Sequence, residues 1–188
     1  MLRPPARASA GREARMSAQE TTRAAANVDI TTRLIAFIID GVILGIVYTF
    51  LLVFVAVGAV IQGDVGIITA IGRSLIWAAV SALYFGYGWT TWRATPGQRV
   101  MRLVTVKAED QRTLTWTEAL TRWGYLFGPA ILQSLFANSN QVGGFLSLIV
   151  TIAVIAYCIY LYRTTRDDPR GQGFHDKQAG TIVLRATT

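Results

Sequence analysis

Long apolar runs separated by short charged segments constrain this chain more than any other feature of its sequence. The first run extends from Leu34 to about Val60, and Asp40 is its only formal charge. As a helix rising about 1.5 Å per residue, this run can cross roughly 30 Å of hydrocarbon. Only 15% of the 188 residues are charged, against roughly 25% in soluble domains. The chain is therefore predicted to be a multi-pass protein of the cell membrane, with the lipid bilayer as its partner.

Further apolar runs complete the predicted fold class, an all-α membrane protein with a four-helix transmembrane bundle. Arg73 limits the second run, and Thr117 followed by Glu118 predicts the start of the third helix. The four helices are expected at about 34–60, 75–92, 117–137 and 142–162.

Polar segments flank these helices. The stretch 93–116 contains the turn signal Pro96-Gly97 and an alternating segment, Leu103–Lys107, which predicts a short cytoplasmic strand or hairpin between helices two and three. Residues 1–30 have the composition of a disordered tail without a secretory signal. The membrane domain is expected to occupy residues 31–188, with 163–188 as a cytoplasmic tail.

The placement of basic residues predicts the orientation. Six arginines lie in the N-terminal segment through Arg33, five basic residues lie in 93–116, and five more lie from Arg163 onward. The segments near Gly63 and at 138–141 carry almost none. The positive-inside rule then places both termini in the cytoplasm, which requires an even number of crossings. Arginines beside apolar runs also explain the net charge of +7, so no nucleic-acid partner is expected.

Asp40 is the most informative polar residue, because a carboxylate inside a membrane helix costs a few kcal/mol, about 3 on insertion scales. Two interpretations stay open: Asp40 hydrogen-bonds another helix and holds the bundle together, or it binds a proton or cation. Arg33 lies two turns earlier on the same face, about 10 Å away along the axis. It is therefore expected at the cytoplasmic interface rather than in contact with Asp40.

Other residues suggest packing and pairing. Gly41 with Gly45, and Gly124 with Gly128, have the spacing that lets helices approach closely. Arg122 is expected to pair with Glu118 one turn earlier, or alternatively to reach Asp40 from another helix.

No combination of residues predicts enzyme chemistry or a cofactor. Cys158 is the lone cysteine, so neither an internal disulfide nor a cysteine metal site can form. The pair His175-Asp176 is more typical of a turn than of a catalytic dyad, and one histidine does not build an ordinary metal site. The chain is therefore predicted not to be an enzyme.

Three motifs together resemble the RDD family of bacterial membrane proteins. They are Arg33-Leu-Ile-Ala-Phe-Ile-Ile-Asp40-Gly41, then Ala94-Thr-Pro-Gly-Gln-Arg99 followed by Val104-Thr-Val106, and finally His175-Asp176-Lys-Gln-Ala-Gly180-Thr181. The resemblance covers roughly residues 30–186. Gln98 stands where the family commonly has lysine.

The resemblance implies which residues act together. The arginine and two aspartates of the family's name fall on Arg33, Asp40 and Asp176. Some members are linked to cation/proton antiport, which the resemblance permits. All three motifs flank one membrane face, so the C-terminal tail is expected to fold back and bring Asp176 to Arg33 or Arg99, with His175 nearby.

Two functions follow from these observations. In the first, Asp40 is the titrating site of a transporter for a monovalent cation or proton, and a homo-oligomer would form the pathway. In the second, the chain is a membrane scaffold whose Arg33, Asp40 and Asp176 are structural and whose basic segments meet anionic lipid or an acidic protein. A lipid-modifying enzyme is a weaker third option, because no nucleophile or metal set is recognisable.

Overall fold

The computed structural model describes residues 28–62, 67–137 and 144–186. Four long helices and four short elements make up this part of the chain. The long helices are α1 (Ile30–Gln62), α2 (Ile67–Thr91), α4 (Trp116–Ala137) and α5 (Gly144–Asp167). The short elements are α3 (Pro96–Val100), β1 (Leu103–Lys107), α6 (Phe174–Gln178) and β2 (Thr181–Arg185). The chain is thus mostly helical with one small sheet, as predicted. Residues 1–27 of the tail expected at 1–30 lie outside the described residues, as do the two weakly charged loops, whereas Ile30 already belongs to α1.

The helix limits differ from the predicted ones mainly at their ends. α2 begins at Ile67 and continues through Arg73, so this arginine does not limit the helix. The predicted helix start at Thr117 is wrong. α4 begins at Trp116, and Thr115 is the residue that caps it: its backbone N–H donates to the Glu118 side chain at 2.7 Å. α5 continues to Asp167, five residues beyond the expected end.

Two of the described helices are long and apolar enough to cross a membrane, α1 over Ile30–Phe54 and α5 over Gly144–Asp167. Most of their side chains lie on the surface of the chain, including Phe54 (75% exposed) and Phe145 (77% exposed). A core helix of a soluble protein would bury such residues. This exposed apolar surface fits contact with lipid. α2 and α4 carry more polar residues, so composition supports two of the four predicted crossings.

The long helices do not pack as equal members of a bundle. α2 and α4 form the principal helix pair, α1 packs mainly against α3, and α5 contacts α4. Leu44, Phe85, Trp89, Leu114 and Ala119 form the largest buried apolar cluster. Polar contacts also join the helices: Trp123 donates to Ser81 at 3.2 Å between α4 and α2, and Gln133 donates to Thr151 at 2.9 Å between α4 and α5.

The glycine pairs predicted to bring helices together do not do so in this chain. A Cβ added at Gly41, Gly45, Gly124 or Gly128 would meet nothing within 4 Å. The close approaches occur elsewhere. A Cβ at Gly86 would lie 2.5 Å from the ring of Trp116, and one at Gly97 would clash with α1. Spacing alone therefore identified the wrong glycines.

The predicted strand in the middle segment exists, but its partner comes from the C-terminal tail rather than from a local hairpin. β1 pairs antiparallel with β2, with Leu103 opposite Arg185 and Lys107 opposite Thr181. Side chains cover the outer edge of β2, since Arg33 donates to the Val183 carbonyl at 3.0 Å and Gln172 donates to the Thr181 carbonyl at 2.7 Å. These contacts occupy edge groups that could otherwise pair with another strand. We call residues 92–115 and 168–186 the polar cap.

Candidate functional site: two buried carboxylates

Asp40 joins α1 to two other elements through three hydrogen bonds. It is 2% exposed. The Tyr84 hydroxyl of α2 donates to Oδ1 at 2.7 Å, and the Gly97 backbone N–H of α3 donates to the same oxygen at 2.8 Å. The Thr95 hydroxyl donates to Oδ2 at 2.5 Å. Three donors satisfy much of the hydrogen-bonding capacity of a buried carboxylate, and this offsets the cost of its burial.

Local sequence explains how α3 presents its donors to Asp40. Thr95 is the N-cap, Pro96 occupies the first turn, and Thr95 and Gln98 form a reciprocal capping box. Gly97 is required because a Cβ there would collide with the Ala36 carbonyl oxygen and lie 2.8 Å from Asp40 Cγ. The motif that begins at Ala94 therefore makes a short helix that packs directly on the backbone of α1.

Gln98 ties three elements together. Its Oε1 accepts hydrogen bonds from the Thr95 backbone N–H at 3.0 Å and from the Trp89 indole at 3.2 Å. Its Nε2 donates to the Thr105 hydroxyl of β1 at 2.9 Å. A lysine could not accept the first two bonds. The departure from the usual family residue at this position thus has a structural role here.

Asp176 is the second buried carboxylate, and arginines from two helices converge on it. Arg122 of α4 donates to Oδ1, and Arg33 Nη1 of α1 lies 3.6 Å from Oδ2. The Thr181 hydroxyl donates to Oδ1 at 3.0 Å, and the Gly173 backbone N–H donates to Oδ2 at 3.1 Å. The structure therefore brings Arg33 and Asp176 together, although 143 positions separate them in the sequence. The C-terminal tail folds back as expected.

Arg122 and Arg99 have partners other than those predicted. Arg122 contacts neither Glu118 nor Asp40. Besides Asp176, it donates to Thr181 at 2.6 Å, and its guanidinium lies 4.9 Å from the centre of the Trp89 ring. Glu118 instead pairs with Lys107 at 2.8 Å. Arg99 stacks on Trp92 rather than reaching Asp176.

His175 lies beside the same carboxylate, with Nε2 3.4 Å from Asp176 Oδ2. Burial, reinforced by repulsion from Arg122 and Arg33, holds the pKa of His175 well below 6.5. The imidazole is therefore neutral at physiological pH. Its Nδ1, together with Nε of Arg33 and Nε of Arg122, is buried without a hydrogen-bond partner among the described residues.

Trp89 connects the two carboxylate sites. Its indole N–H donates to Gln98, and Gln98 bonds Thr95, which in turn donates to Asp40. The other side of the connection is the Trp89 ring, which faces Arg122, the partner of Asp176. Sequence reasoning missed Tyr84, Trp89 and Thr95 as members of the site. The Thr95 capping pattern was a signal that could have identified one of them, whereas Tyr84 and Trp89 looked like ordinary membrane-helix aromatics.

Neither carboxylate lies in a cluster typical of a metal centre. Throughout residues 28–62, 67–137 and 144–186, no three His, Cys, Asp or Glu side chains group closely enough to hold a metal ion. Cys158 is exposed on α5.

Comparison with known proteins agrees with the motifs. Searches of curated proteins and of solved structures find no match. The profile of the RDD family matches residues 28–180, a range that contains Arg33, Asp40 and Asp176. The chain therefore belongs to the RDD family of bacterial membrane proteins.

Proposed function

We propose that this chain is a non-enzymatic membrane scaffold in which Arg33, Asp40 and Asp176 have structural roles. The observation that carries the proposal is the set of hydrogen bonds that Asp40 accepts. Both of its oxygens accept hydrogen bonds, and the donors come from α2 and from the segment around α3. A cation site needs several oxygen ligands directed at the ion, whereas the Gly97 N–H directs a donor at Asp40.

The Asp176 site supports the same interpretation. Arginines from α1 and α4 meet a carboxylate carried by α6, so one residue of the polar cap fastens two long helices. Breaking a buried charge pair commonly costs about 3–5 kcal/mol. A cap held in this way keeps a fixed position on the helices, as a scaffold requires.

In this proposal all four long helices cross the membrane, the polar cap lies at its cytoplasmic surface, and both termini lie in the cytoplasm. The cap then presents a basic surface to an acidic protein, to anionic lipid or to a second copy of the chain. The exposed basic side chains of α5's last turns and of the cap are Arg93, Arg99, Arg102, Arg112, Arg163, Arg166, Arg170, Lys177 and Arg185. They exceed the exposed acidic residues of the same segments, Glu109, Asp110 and Asp167.

Asp40→Asn provides the test. In a scaffold, losing the charge weakens the bonds from Tyr84, Thr95 and Gly97, each worth about 1.5–3 kcal/mol when the partner is charged. The expected result is a lower unfolding midpoint for Asp40→Asn than for the wild type in detergent. Neither protein should show cation-coupled proton flux in vesicles. Flux in the wild type that Asp40→Asn abolishes at unchanged folded yield would overturn the scaffold.

Proton or cation transport through Asp40 is the second candidate. It is favoured by the two hydroxyl groups, of Tyr84 and Thr95, that contact a buried carboxylate. Hydroxyls can both donate and accept protons, so they could pass a proton to Asp40. Tyr84→Phe would then slow flux while leaving Asp40 in place. Tyr48→Phe, at the contact of α1 with Trp77 of α2, serves as the control.

A further inference from the structure

Four exposed residues form a small aromatic, basic and apolar surface where α2 ends. The guanidinium of Arg99 lies 4.7 Å from the centre of the Trp92 ring. Tyr87 packs edge-on against Trp92, with ring centres 5.1 Å apart. Trp92 and Tyr87 are nevertheless 43% and 48% exposed, and neighbouring Val100 is 67% exposed. We call Tyr87, Trp92, Arg99 and Val100 the Trp92 surface.

The Trp92 surface lies at the depth of apolar side chains on α1. Gly97 touches the α1 backbone at Ala36 and approaches Asp40. α3 is therefore level with that part of α1, and its five residues span only about 7.5 Å. The same turns of α1 carry exposed apolar side chains, those of Leu34, Ile35, Phe37 and Ile38. A membrane that covers these residues also reaches α3 and the end of α2.

The charge of Arg99 needs a partner at that depth. Among the described residues, Arg99 forms no ion pair with an acidic side chain. Tryptophan and tyrosine favour the headgroup region, where the rings contact hydrocarbon and the polar edges contact water. A guanidinium matches the geometry of a phosphate, which lies in the same region.

We propose that the Trp92 surface binds the headgroup phosphate of an anionic phospholipid in the cytoplasmic leaflet. Arg99 contacts the phosphate, Trp92 holds the guanidinium against its ring, and Val100 enters the acyl-chain boundary. The proposal requires only that the chain is a membrane protein with this face at the bilayer surface. It stands equally with a scaffold or a transporter, so its failure is distinguishable from failure of either function.

Lipid selectivity of the full chain is the first test. The protein is reconstituted with equal amounts of phosphatidylglycerol and phosphatidylcholine, and the lipids retained after mild extraction are measured by mass spectrometry. The wild type is expected to retain phosphatidylglycerol preferentially. Arg99→Gln should lower this preference about 5-fold, the contribution of one cation at an anionic surface. Arg170→Gln, which removes the same charge from an exposed site outside the Trp92 surface, should lower it far less.

Equal losses in the two variants would mean that net charge alone determines the preference and would overturn the site. Displacement of the preference by excess inorganic phosphate would assign the site to the free anion instead of the lipid.

Membrane depth is the second test. A spin label at Val100→Cys, in a Cys158→Ser background, should be more accessible to oxygen than to a water-soluble nickel chelate, as expected for Leu34→Cys. Glu109→Cys, exposed on the β1 side of the cap, should show the opposite. If Val100 behaves like Glu109, the surface does not reach the membrane and the proposal fails.

Discussion

Gly97 is the point of closest contact between α3 and α1. An added methyl group would meet the Ala36 carbonyl and the Asp40 carboxyl carbon, so α3 would have to move and the Gly97 N–H would leave Asp40. We expect Gly97→Ala to lower the free energy of unfolding by about 1–3 kcal/mol, as overpacking commonly does. Unfolding midpoints in detergent measure the change.

Gly45→Ala is the matched control, because nothing lies within 4 Å of a Cβ there. It should leave stability unchanged or raise it by up to about 1 kcal/mol, since alanine favours a helix more than glycine does. Equal losses at both positions would contradict the close approach at Gly97.

His175 gives the cap a pH dependence whose sign can be derived. Its folded pKa is held well below 6.5 by burial and by the two arginines, whereas the unfolded imidazole titrates near about 6.5. Below that pH the His175 imidazole is protonated in the unfolded state but stays neutral in the folded state. Stability is therefore complete above about pH 6.5 and falls by up to about 1.4 kcal/mol per pH unit below it.

The measurement is the unfolding midpoint from about pH 7.5 to about pH 5, above the range where ordinary carboxylates titrate. His175 is the sole histidine, so His175→Gln should flatten the profile across this window. A slope that persists in the variant would assign it to another group.

The sequence alone predicted the role of some single residues but not their partners. Asp40 was predictable, because a charge in a long apolar run must find polar partners. Its partner Tyr84 was not, because a tyrosine 44 positions away in another helix carries no local signal. Arg122 shows the same limit: a nearby acid, Glu118, offered a plausible pair, but Glu118 bonds Lys107 and Arg122 is buried against Asp176.

Among elements, the contact of α1 with α6 depends on Arg33 and Asp176. Because Arg122 shares the carboxylate, the effects of single substitutions overlap. We expect Arg33→Gln and Asp176→Asn to be non-additive, with a coupling of about 0.5–3 kcal/mol in a double-mutant cycle measured by unfolding midpoints. Asp176→Asn should be the more damaging of the two, because it leaves two arginines without their counter-charge.

A second double-mutant cycle, of Arg33→Gln with Arg112→Gln, is the control for the Arg33–Asp176 cycle. Arg112 is exposed and bonds Asp110, so these two changes should add. Additivity in the Asp176 cycle as well would show that the ion pair between α1 and α6 contributes nothing to stability.

The sheet shows which element-level features a pattern can and cannot predict. Alternation identified Leu103–Lys107 as a strand, because the two faces of a strand differ in burial. The pattern does not specify a partner, so a local hairpin was as compatible with it as pairing with a distant strand. The actual partner, Thr181–Arg185, is contacted by Arg33 and Gln172, and the Arg33 contact exists only once α1 and the C-terminal tail have come together.

At the scale of the whole molecule, the length and polarity of α2 and α4 determine how they meet the membrane. By rise per residue, α2 and α4 are about 37 and 33 Å long, enough to cross a hydrocarbon core of about 30 Å. Their polar residues lower their average hydropathy, but several face each other: Ser74 pairs with Ser134 at 2.9 Å and Ser81 with Trp123 at 3.2 Å. Polar groups satisfied between helices are compatible with a membrane interior.

We therefore expect four crossings, with the cap at the cytoplasmic surface and both termini in the cytoplasm. In a Cys158→Ser background, Asn140→Cys, in the segment between α4 and α5, should react with a membrane-impermeant thiol reagent in intact cells. Glu109→Cys should react only after the membrane is opened, and a C-terminal green fluorescent protein should fluoresce because it matures in the cytoplasm. If both cysteines were protected in intact cells and the fusion did not fluoresce, α4 would lie along the cytoplasmic surface and α5 would carry the C-terminus across the membrane. That result would contradict the expectation that both termini lie in the cytoplasm.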